Sequence, residues 1–359
     1  MTPGADIKTD HTARARACAR GPASAPAPDS DSDSARDRVR PRAPYAWGAA
    51  ALCAAFALTG CSLLGAGSSD TSADDKAVPA TEAATVRPAV RPAAPVPSAL
   101  EGVHVNVEDG AVVGVGMPVS LTFEQPVPAA ERAAVERALT VTSRPPVTGS
   151  WSWVKDRHLD DGQRLDYRPR TYWTPGTKVT LRTGPRARSG TGSGPASTLN
   201  RRFSVGRSLI ATVDVPGHFM TVVKGGVATR IPITAGAPGM ETWNGVMVVS
   251  DKERRVLMDS STVGFGDAYK GYYNYAVHLT SSGTYLHENP LADVHAGREN
   301  ITHGCVGLPT DGTARRFFEE VIPGDVVQVT GSPETVDPGN GYGDWNIPWS
   351  RWLADSALR

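Results

Sequence analysis

From residue 99 onward the chain consists of short runs in which apolar and polar residues alternate, separated by glycine, proline and asparagine. A period of two residues, with many valine, isoleucine and aromatic side chains, is typical of β-strands. The predicted strands of the first half are 103–107, 119–123, 139–142, 151–154, 165–167 and 178–182. Those of the second half are 209–213, 218–223, 227–233, 245–249, 256–258, 275–279, 284–287 and 326–330. The pattern therefore predicts an all-β protein with two folded domains, 99–205 and 206–330.

Two segments and the tail depart from this period. Residues 129–138 are dominated by alanine, glutamate and arginine, which favours one or two helical turns. In 313–322, four apolar side chains recur among charged residues at helical spacing, so we predict one short amphipathic helix with Asp311 as its N-cap. The tail 331–359 contains three tryptophans. Because it is too apolar to stay in solvent, we expect it to pack on the second domain.

The strand spacing in 99–205 is that of an immunoglobulin-like sandwich. This segment contains no nucleophile beside a base, so we interpret it as a non-catalytic spacer domain. Its large aromatic residues are expected in the core, and a sugar-binding platform is the alternative. They are Trp151, Trp153, Tyr167 and Trp173.

The first hundred residues have a different composition. Residues 1–42 lack large apolar side chains, so they are expected to be disordered. Four arginines then precede the uncharged, Ala/Leu-rich stretch 45–59, which is the order of a secretory signal. The alternative is a transmembrane span within the uncharged segment 43–69. Both interpretations place the folded domains outside the membrane.

A short motif closes this apolar stretch. Leu58-Thr59-Gly60-Cys61 resembles a bacterial lipobox, in which the cysteine is acylated. The resemblance implies a leader and lipoprotein signal peptide over 1–60, with lipid on Cys61. Residues 61–98 are then a disordered Ala/Pro/Ser tether. We therefore expect the protein to be held at the outer face of the cell membrane as a lipoprotein that reaches into the cell wall.

Charge and cysteine content narrow the function. The 359 residues carry 37 Lys+Arg and 37 Asp+Glu, so the chain as a whole has no field that favours nucleic acid. No glycine-rich phosphate loop is visible, which disfavours a nucleotide-dependent enzyme. Three cysteines lie within residues 1–61, and Cys305 is the fourth. An unpaired thiol in an exported chain is a candidate for reactivity, so we expect no disulfide in the folded domains.

The candidate chemistry lies in one stretch of the second domain, where His287 is followed by His303-Gly304-Cys305. A free thiol with a pKa near about 8.5 needs a base, and an imidazole can accept its proton. Gly304 leaves its neighbouring amides open to a developing oxyanion. Two other interpretations stay open. Cys305 could be a buried structural thiol, or it could bind zinc with His287, His295 and His303.

The order His287…His303-Gly304-Cys305 resembles the signature of the L,D-transpeptidase (YkuD-type) family. The motifs 258–262 (MDSST) and 343–349 (GDWNIPW) match its actinobacterial branch, which also has an immunoglobulin-like domain and a lipobox. The resemblance implies a YkuD-type β-sandwich catalytic domain. It also implies cross-linking of peptidoglycan stem peptides, from a tetrapeptide donor to an amine acceptor, through a thioester on the cysteine. No metal or organic cofactor is implied, and carbapenem-type β-lactams are expected inhibitors.

The resemblance also implies roles for single residues. Cys305 would be the nucleophile and His287 the base, held by the backbone carbonyl of Glu288. Gly304 and Cys305 would donate amides to the oxyanion, and His303 would lie beside the nucleophile, with the exchanged role of base as its alternative. Substrate contacts are expected from Glu288, Thr302, Tyr269 and Met258.

Two positions depart from the family pattern. Glu288 stands where a small hydroxyl residue is usual, and Gly307 stands where Arg or Asn is usual. These departures concern substrate preference more than the reaction. Two alternative functions also remain: an L,D-carboxypeptidase that uses water as acceptor, and a non-catalytic lipoprotein that binds the cell wall.

Overall fold

The computed structural model describes residues 96–159, 162–184, 199–264 and 266–359. The predicted leader, the predicted acylation site Cys61 and almost all of the predicted tether lie outside the described residues. Within the described ranges, no helix is both long and apolar enough to cross a membrane. The predicted boundaries of the five segments stay predictions; the segments are 1–60, 61–98, 99–205, 206–330 and 331–359.

The first domain contains two four-stranded sheets, with strand orders β1-β3-β6-β5 and β2-β8-β7-β4. All pairs are antiparallel except β2 with β8. The strands are β1 His104–Val105, β2 Val112–Val113, β3 Val119–Thr122, β4 Leu139–Arg144, β5 Gly149–Lys155, β6 Gln163–Pro169, β7 Lys178–Thr183 and β8 Asn200–Val205. The predicted helix is present as α1, Ala129–Ala138.

Apolar side chains from both sheets form the core of this domain. Trp151, Tyr167 and Trp173 are buried in it, which agrees with their expected place in the core. Trp153 is only partly buried, and its ring stacks on Phe123. The predicted strand 103–107 is reduced to two residues, because the chain leaves the sheet again at Asn106, whose side chain bonds the backbone of Ser120 and Pro118.

The second domain contains a five-stranded sheet, β11-β10-β9-β17-β12, and a four-stranded sheet, β13-β14-β15-β16. Its strands are β9 Leu209–Asp214, β10 Phe219–Lys224, β11 Val227–Pro232, β12 Gly245–Val248, β13 Lys252–Asp259, β14 Lys270–His278, β15 Tyr285–Glu288, β16 Val306–Leu308 and β17 Val326–Thr330. The buried residues of both sheets and the helix α3, Thr313–Glu320, form one apolar cluster. The all-β prediction is confirmed.

The helices differ from the prediction in detail. A four-residue helix α2, Ala292–His295, precedes α3, so the catalytic domain has two short helices and not one. Helix α3 ends at Glu320 and not at 322, because Val321 takes an extended conformation. Gly312, in the left-handed conformation, is its N-cap, and the Asp311 carboxylate instead accepts the amide of Thr313 at 3.0 Å.

The tail contacts both domains and includes a further helix, α4, Trp349–Ala354. On the second domain, the Asn346 side chain bonds Val246 and the Asn340 side chain bonds Ser282. On the first domain, the Trp352 indole N–H donates to Ser150 at 2.9 Å. The expectation placed the tail on the catalytic domain, and the structure shows that its tryptophans find their partners on the immunoglobulin-like domain.

A buried ion cluster joins the tail to strand β6. The Arg164 guanidinium lies 2.5 Å from Asp156, 2.7 Å from Asp166 and 3.4 Å from Asp344 of the tail. Burial lowers the pKa of Arg164, but the three carboxylates raise it by more, so the side chain stays charged. Nearby, the Arg168 guanidinium lies over three tail indoles, those of Trp345, Trp349 and Trp352.

The two domains also meet directly through backbone atoms. The amide of Gly114 donates to Pro323 and the amide of Gly116 donates to Gly324, both at 2.8 Å. A Cβ on Gly114 would overlap the backbone of Gly324, so glycine is needed for this approach. Close backbone packing and the shared tail therefore place the domains in one compact unit.

Candidate active site

The candidate site is formed where two neighbouring parallel strands, β15 and β16, lie side by side. Leu286 is opposite Val306 and His287 is opposite Gly307. Cys305 directly precedes β16, two residues before Gly307. Because side chains two residues apart point to the same face of a sheet, Cys305 and His287 face the same side. The local fold therefore brings together two residues that are 18 positions apart in the sequence.

His287 is held in one orientation by its own strand. The ring is 3% exposed, and its Nδ1 lies 2.7 Å from the Glu288 carbonyl oxygen. A carbonyl can only accept, so Nδ1 carries the hydrogen and Nε2 has the free lone pair. Burial lowers the pKa of His287 to about 4, against a smaller opposing effect of the Glu288 carbonyl. The imidazole is therefore neutral at pH 7 and can accept a proton at Nε2.

The Cys305 thiol is buried as well, with 8% of the residue exposed. Its S–H donates to the Gly283 carbonyl at 3.7 Å. Burial raises the pKa of the thiol to about 11, and a hydrogen bond from the Tyr285 backbone lowers it by less. At neutral pH the residue is therefore a thiol and not a thiolate. A nucleophilic reaction at this sulfur needs a base that removes the proton as the new bond forms.

The backbone around Cys305 is fixed on both sides. Gly304 has φ of +102°, a conformation that favours glycine. The Cys305 carbonyl accepts the hydroxyl of Thr302 at 2.6 Å and that of Thr242 at 3.5 Å. With this carbonyl engaged, the amides of Gly304 and Cys305 belong to a rigid turn that directly precedes β16.

A cleft of about 290 Å³ lies beside this turn. His303 and Gly304 form one wall, and Gly283, which touches the sulfur, lies on another. The His303 ring packs edge-on against Tyr269, with the ring centroids 5.2 Å apart. The other lining residues are Gly239, Met240, Glu241, Trp243, Val263, Ser282, Thr284 and Glu334. The cleft therefore adjoins Cys305 through its neighbours Gly283 and Gly304.

Comparison with known proteins identifies the family. Residues 208–329 match the L,D-transpeptidase catalytic domain and residues 71–184 match a bacterial Ig domain. L,D-transpeptidase 1 of Mycobacterium tuberculosis is 33% identical over 248 residues, covering 68% of this chain and 89% of the relative. The chain belongs to the L,D-transpeptidase family.

Two further relatives support this assignment. L,D-transpeptidase 2 of Mycobacterium tuberculosis is 33% identical over 268 residues, covering 73% of this chain. The match spans 64% of that relative, which is less than two thirds of its length. A solved structure of an L,D-transpeptidase in complex with imipenem has 32% identity and a TM-score of 0.53, covering 63% of this chain and 97% of the other.

The four residues predicted to contact substrate lie at different places relative to the cleft. Tyr269 lines the cleft. Met258 is buried in β13, opposite Gly271. Glu288 contacts His287 through its backbone carbonyl, while its carboxylate accepts Asn274 at 3.0 Å. Thr302 is 5% exposed and bonds the Cys305 carbonyl, so it supports the nucleophile from behind and does not line the cleft.

Both departures from the L,D-transpeptidase pattern have a physical account. Because the contact at residue 288 is made by a backbone carbonyl, a glutamate side chain there is compatible with the orientation of His287. At Gly307, a Cβ would lie 2.9 Å from a Thr234 methyl and 3.0 Å from the Asn289 Cβ. These neighbours fill the space of the missing side chain, so glycine is required unless they move.

Sequence reasoning missed three residues at this L,D-transpeptidase site. The Tyr273 ring packs edge-on against His287 at 4.8 Å, and the Gly283 carbonyl and the Tyr285 amide face the sulfur. The alternation in β14 gave no usable signal for Tyr273. Tyr275 has φ of +53° and interrupts the regular strand, so the alternation of the later residues does not extend through it to Tyr273. The backbone contacts of residues 283 and 285 carry no side-chain signature at all.

The four residues of the zinc interpretation take other partners in this family member. His287 bonds the Glu288 carbonyl, and His295 bonds the Glu299 carboxylate at 3.0 Å. Over the ranges that the structure describes, no group of three or more His, Cys, Asp or Glu residues could hold a metal ion. Cys305 is free of any disulfide within the same ranges.

Proposed function

We propose that this protein is a peptidoglycan L,D-transpeptidase that forms 3→3 cross-links between stem peptides through a thioester on Cys305. The observation that carries the proposal is the pairing of strands β15 and β16. It puts a buried thiol and a neutral, oriented imidazole on one face, beside a cleft. Family membership supplies the reaction type, and the geometry supports a role for each residue.

In the first half-reaction, the Cys305 sulfur attacks the carbonyl carbon of the third stem residue while its proton passes to Nε2 of His287. The amides of Gly304 and Cys305 stabilise the oxyanion of the tetrahedral intermediate. Collapse of this intermediate breaks the peptide bond. The terminal D-alanine leaves as an amine after taking the proton from His287, and a thioester remains on Cys305.

In the second half-reaction, the side-chain amine of a neighbouring stem attacks the thioester carbonyl. His287 accepts the amine proton and returns it to the departing Cys305 sulfur, so the enzyme ends in its starting state. Because the pKa of His287 is low, its Nε2 is unprotonated at the start of each half-reaction. Water in place of the amine would give the carboxypeptidase reaction at the same site.

The relative bound to imipenem supports β-lactams of the carbapenem class as acylating agents for this chain too. Imipenem therefore provides the direct test. Intact-protein and peptide mass spectrometry of the full chain should show one adduct, mapping to 301–309. Cys305→Ala is expected to lose it. An adduct that persists on Cys305→Ala would refute the mechanism, and an unmodified wild type would favour the wall-binding lipoprotein.

The location of the protein is part of the same proposal. The charged-then-apolar leader and the motif Leu58-Thr59-Gly60-Cys61 support export, acylation of Cys61 and attachment to the outer face of the membrane. Cell fractionation of Cys61→Ala tests this, with Cys53→Ala as the matched control. The Cys61 variant should leave the membrane fraction or remain unprocessed. Unchanged membrane retention and unchanged processing would contradict acylation and favour a spanning helix.

A further inference from the structure

The turn 280–284, which leads into strand β15, contacts the proposed nucleophile. Gly283, at φ of +91°, directs its carbonyl at the Cys305 sulfur, 3.7 Å away. The same turn leads directly into Tyr285, whose backbone also hydrogen bonds to this sulfur. The position of the turn therefore decides which polar groups the sulfur meets.

The turn is stabilised internally by short bonds. The Gly283 amide donates to the Thr280 carbonyl at 2.9 Å, and the Thr284 amide donates to the Thr280 hydroxyl at 3.0 Å. Ser282 lies at its tip, with its hydroxyl 3.1 Å from that of Thr280. Two further bonds hold its ends to the hairpin of β14 and β15: the Leu279 amide donates to the Thr284 carbonyl at 2.9 Å, and the His278 Nε2 lies 2.7 Å from the Thr280 carbonyl oxygen. None of these bonds joins the tip of the turn to another segment.

A residue of the tail holds the tip of the turn. The Asn340 side chain accepts the Ser282 amide at 2.9 Å and donates to the Ser282 hydroxyl at 2.8 Å. Asn340 is 1% exposed, and its own amide donates to the Asp337 carbonyl at 2.9 Å. A buried side chain with two bonds to one residue leaves little freedom for the turn.

The next tail residue is held by the immunoglobulin-like domain. The Gly341 carbonyl accepts the Arg164 guanidinium at 3.1 Å, within the buried ion cluster of β6. Gly341 also approaches the backbone of Leu279 and Thr280 so closely that a Cβ would collide with it. The chain of contacts thus runs from Arg164 through Gly341 and Asn340 to Ser282.

We infer that Asn340 is a positioning residue for the transpeptidase reaction. It holds the turn 280–284 so that Gly283 and Tyr285 meet the Cys305 sulfur in the geometry needed for attack. The inference rests on the proposed function, in which Cys305 is the nucleophile. Displacing such groups by about 1 Å can reduce a rate by up to about 10²-fold.

The chain offers a matched control in Asn346, a second tail asparagine with two side-chain bonds to one residue of the catalytic domain. Its side chain accepts the Val246 amide at 2.8 Å and donates to the Val246 carbonyl at 2.7 Å, on strand β12. Neither Asn346 nor Val246 lines the cleft beside Cys305.

The experiment measures acylation of the full-length chain by imipenem as a function of drug concentration, with unfolding temperature recorded for each variant. Asn340→Ala should lower the maximal acylation rate roughly 10- to 100-fold while the half-saturating concentration stays the same. Asn346→Ala should lower the unfolding temperature without this loss of rate. In Ser282→Ala, the further substitution Asn340→Ala should cost less than it does in the wild type.

Equal rates in the Asn340 and Asn346 variants, or fully additive losses with Ser282→Ala, would overturn the inference. If Asn340→Ala does not fold, Asn340→Asp and Asn346→Asp provide the same comparison, and equal rates again overturn it. A wild type that imipenem leaves unmodified refutes the proposed function instead. In that case, alkylation of Cys305 by iodoacetamide in the same variants still tests whether Asn340 positions the turn: a rate changed only at Asn340 supports it, and an unchanged rate overturns it.

Discussion

Two buried sites, one in each domain, hold their polar side chains in opposite electrostatic states. In the immunoglobulin-like domain, the buried Arg164 is charged and lies against the carboxyl groups of Asp156, Asp166 and the tail residue Asp344. Burial and the neighbouring Asp166 raise the pKa of Asp344 well above its usual range. In the catalytic domain, burial moves the pKa of His287 down to about 4 and that of Cys305 up to about 11, so both are uncharged at pH 7. The first site is an ion cluster, and the second consists of neutral groups that can exchange a proton.

The difference follows from how each group can reduce its desolvation energy. An arginine cannot lose its proton in a protein, so its burial requires partners, and here a tail carboxylate is one of them. A thiol or an imidazole becomes neutral instead. The first solution fixes structure, because removing the guanidinium leaves buried acidic groups without their cation. The second preserves reactivity, because a neutral imidazole keeps a lone pair that is available to a proton.

The largest expected effect concerns His287, the neutral group that can accept a proton. His287→Ala should reduce the imipenem acylation rate by roughly 10²–10⁴, because the pairing of β15 with β16 puts this base on the same face as the thiol. Stopped-flow or mass-spectrometric acylation rates provide the measurement. His303→Ala serves as the matched histidine control and should have a smaller effect. A larger loss in the His303 variant would mean that the two histidines have exchanged roles.

Disrupting the buried ion cluster of Arg164 should change the stability of the protein and not the chemistry at Cys305. Arg164→Leu leaves three buried carboxylates without their cation, which should cost about 3–5 kcal/mol of unfolding free energy. Urea unfolding measures this loss. Arg351→Leu removes a surface pair with Asp355 and should cost at most about 1 kcal/mol. Equal losses in the two variants would show that burial of the Arg164 cluster does not matter.

The sequence predicted those features whose signals are local. Alternation located most strands, alanine and glutamate content located α1, and the order of His287 and Cys305 located the site. Each of these depends on side chains within one element or one motif. Three strands were not predicted. Strand β2, with two residues, and β16, with three, were too short to show a period, and β8, Asn200–Val205, begins with three polar residues.

The remaining features depend on contacts between distant segments. The tail tryptophans are apolar in any context, and only the three-dimensional structure shows that Trp352 reaches Ser150 across about 200 positions of sequence. The buried partners of Arg164 lie 2, 8 and 180 positions away. Likewise, the Gly283 carbonyl faces Cys305 through its backbone, which leaves no trace in residue type.

The lowered pKa of His287 predicts a stability that depends on pH. The unfolded histidine titrates near about 6.5 and the folded one near about 4. Stability from neutral His287 is therefore complete above pH 6.5 and is lost as pH falls toward 4, by about 3 kcal/mol in total. Urea unfolding between these pH values should show the loss in the wild type. His287→Gln should show a shallower dependence, and parallel curves would contradict the assignment.

The smallest expected effect concerns the hydrogen bond from the Thr302 hydroxyl to the Cys305 carbonyl. Thr302→Val removes the hydroxyl that donates to the Cys305 carbonyl at 2.6 Å and leaves only the longer bond from Thr242. The loss should be about 1 kcal/mol of unfolding free energy, the usual net value of one hydrogen bond. Thr262→Val is the control, because its hydroxyl bonds the Asp259 carbonyl at an exposed turn. Urea unfolding should separate the two variants, since water can replace the lost partner at Asp259 but is excluded behind Cys305. Equal stabilities would mean that the Cys305 carbonyl is already satisfied by Thr242.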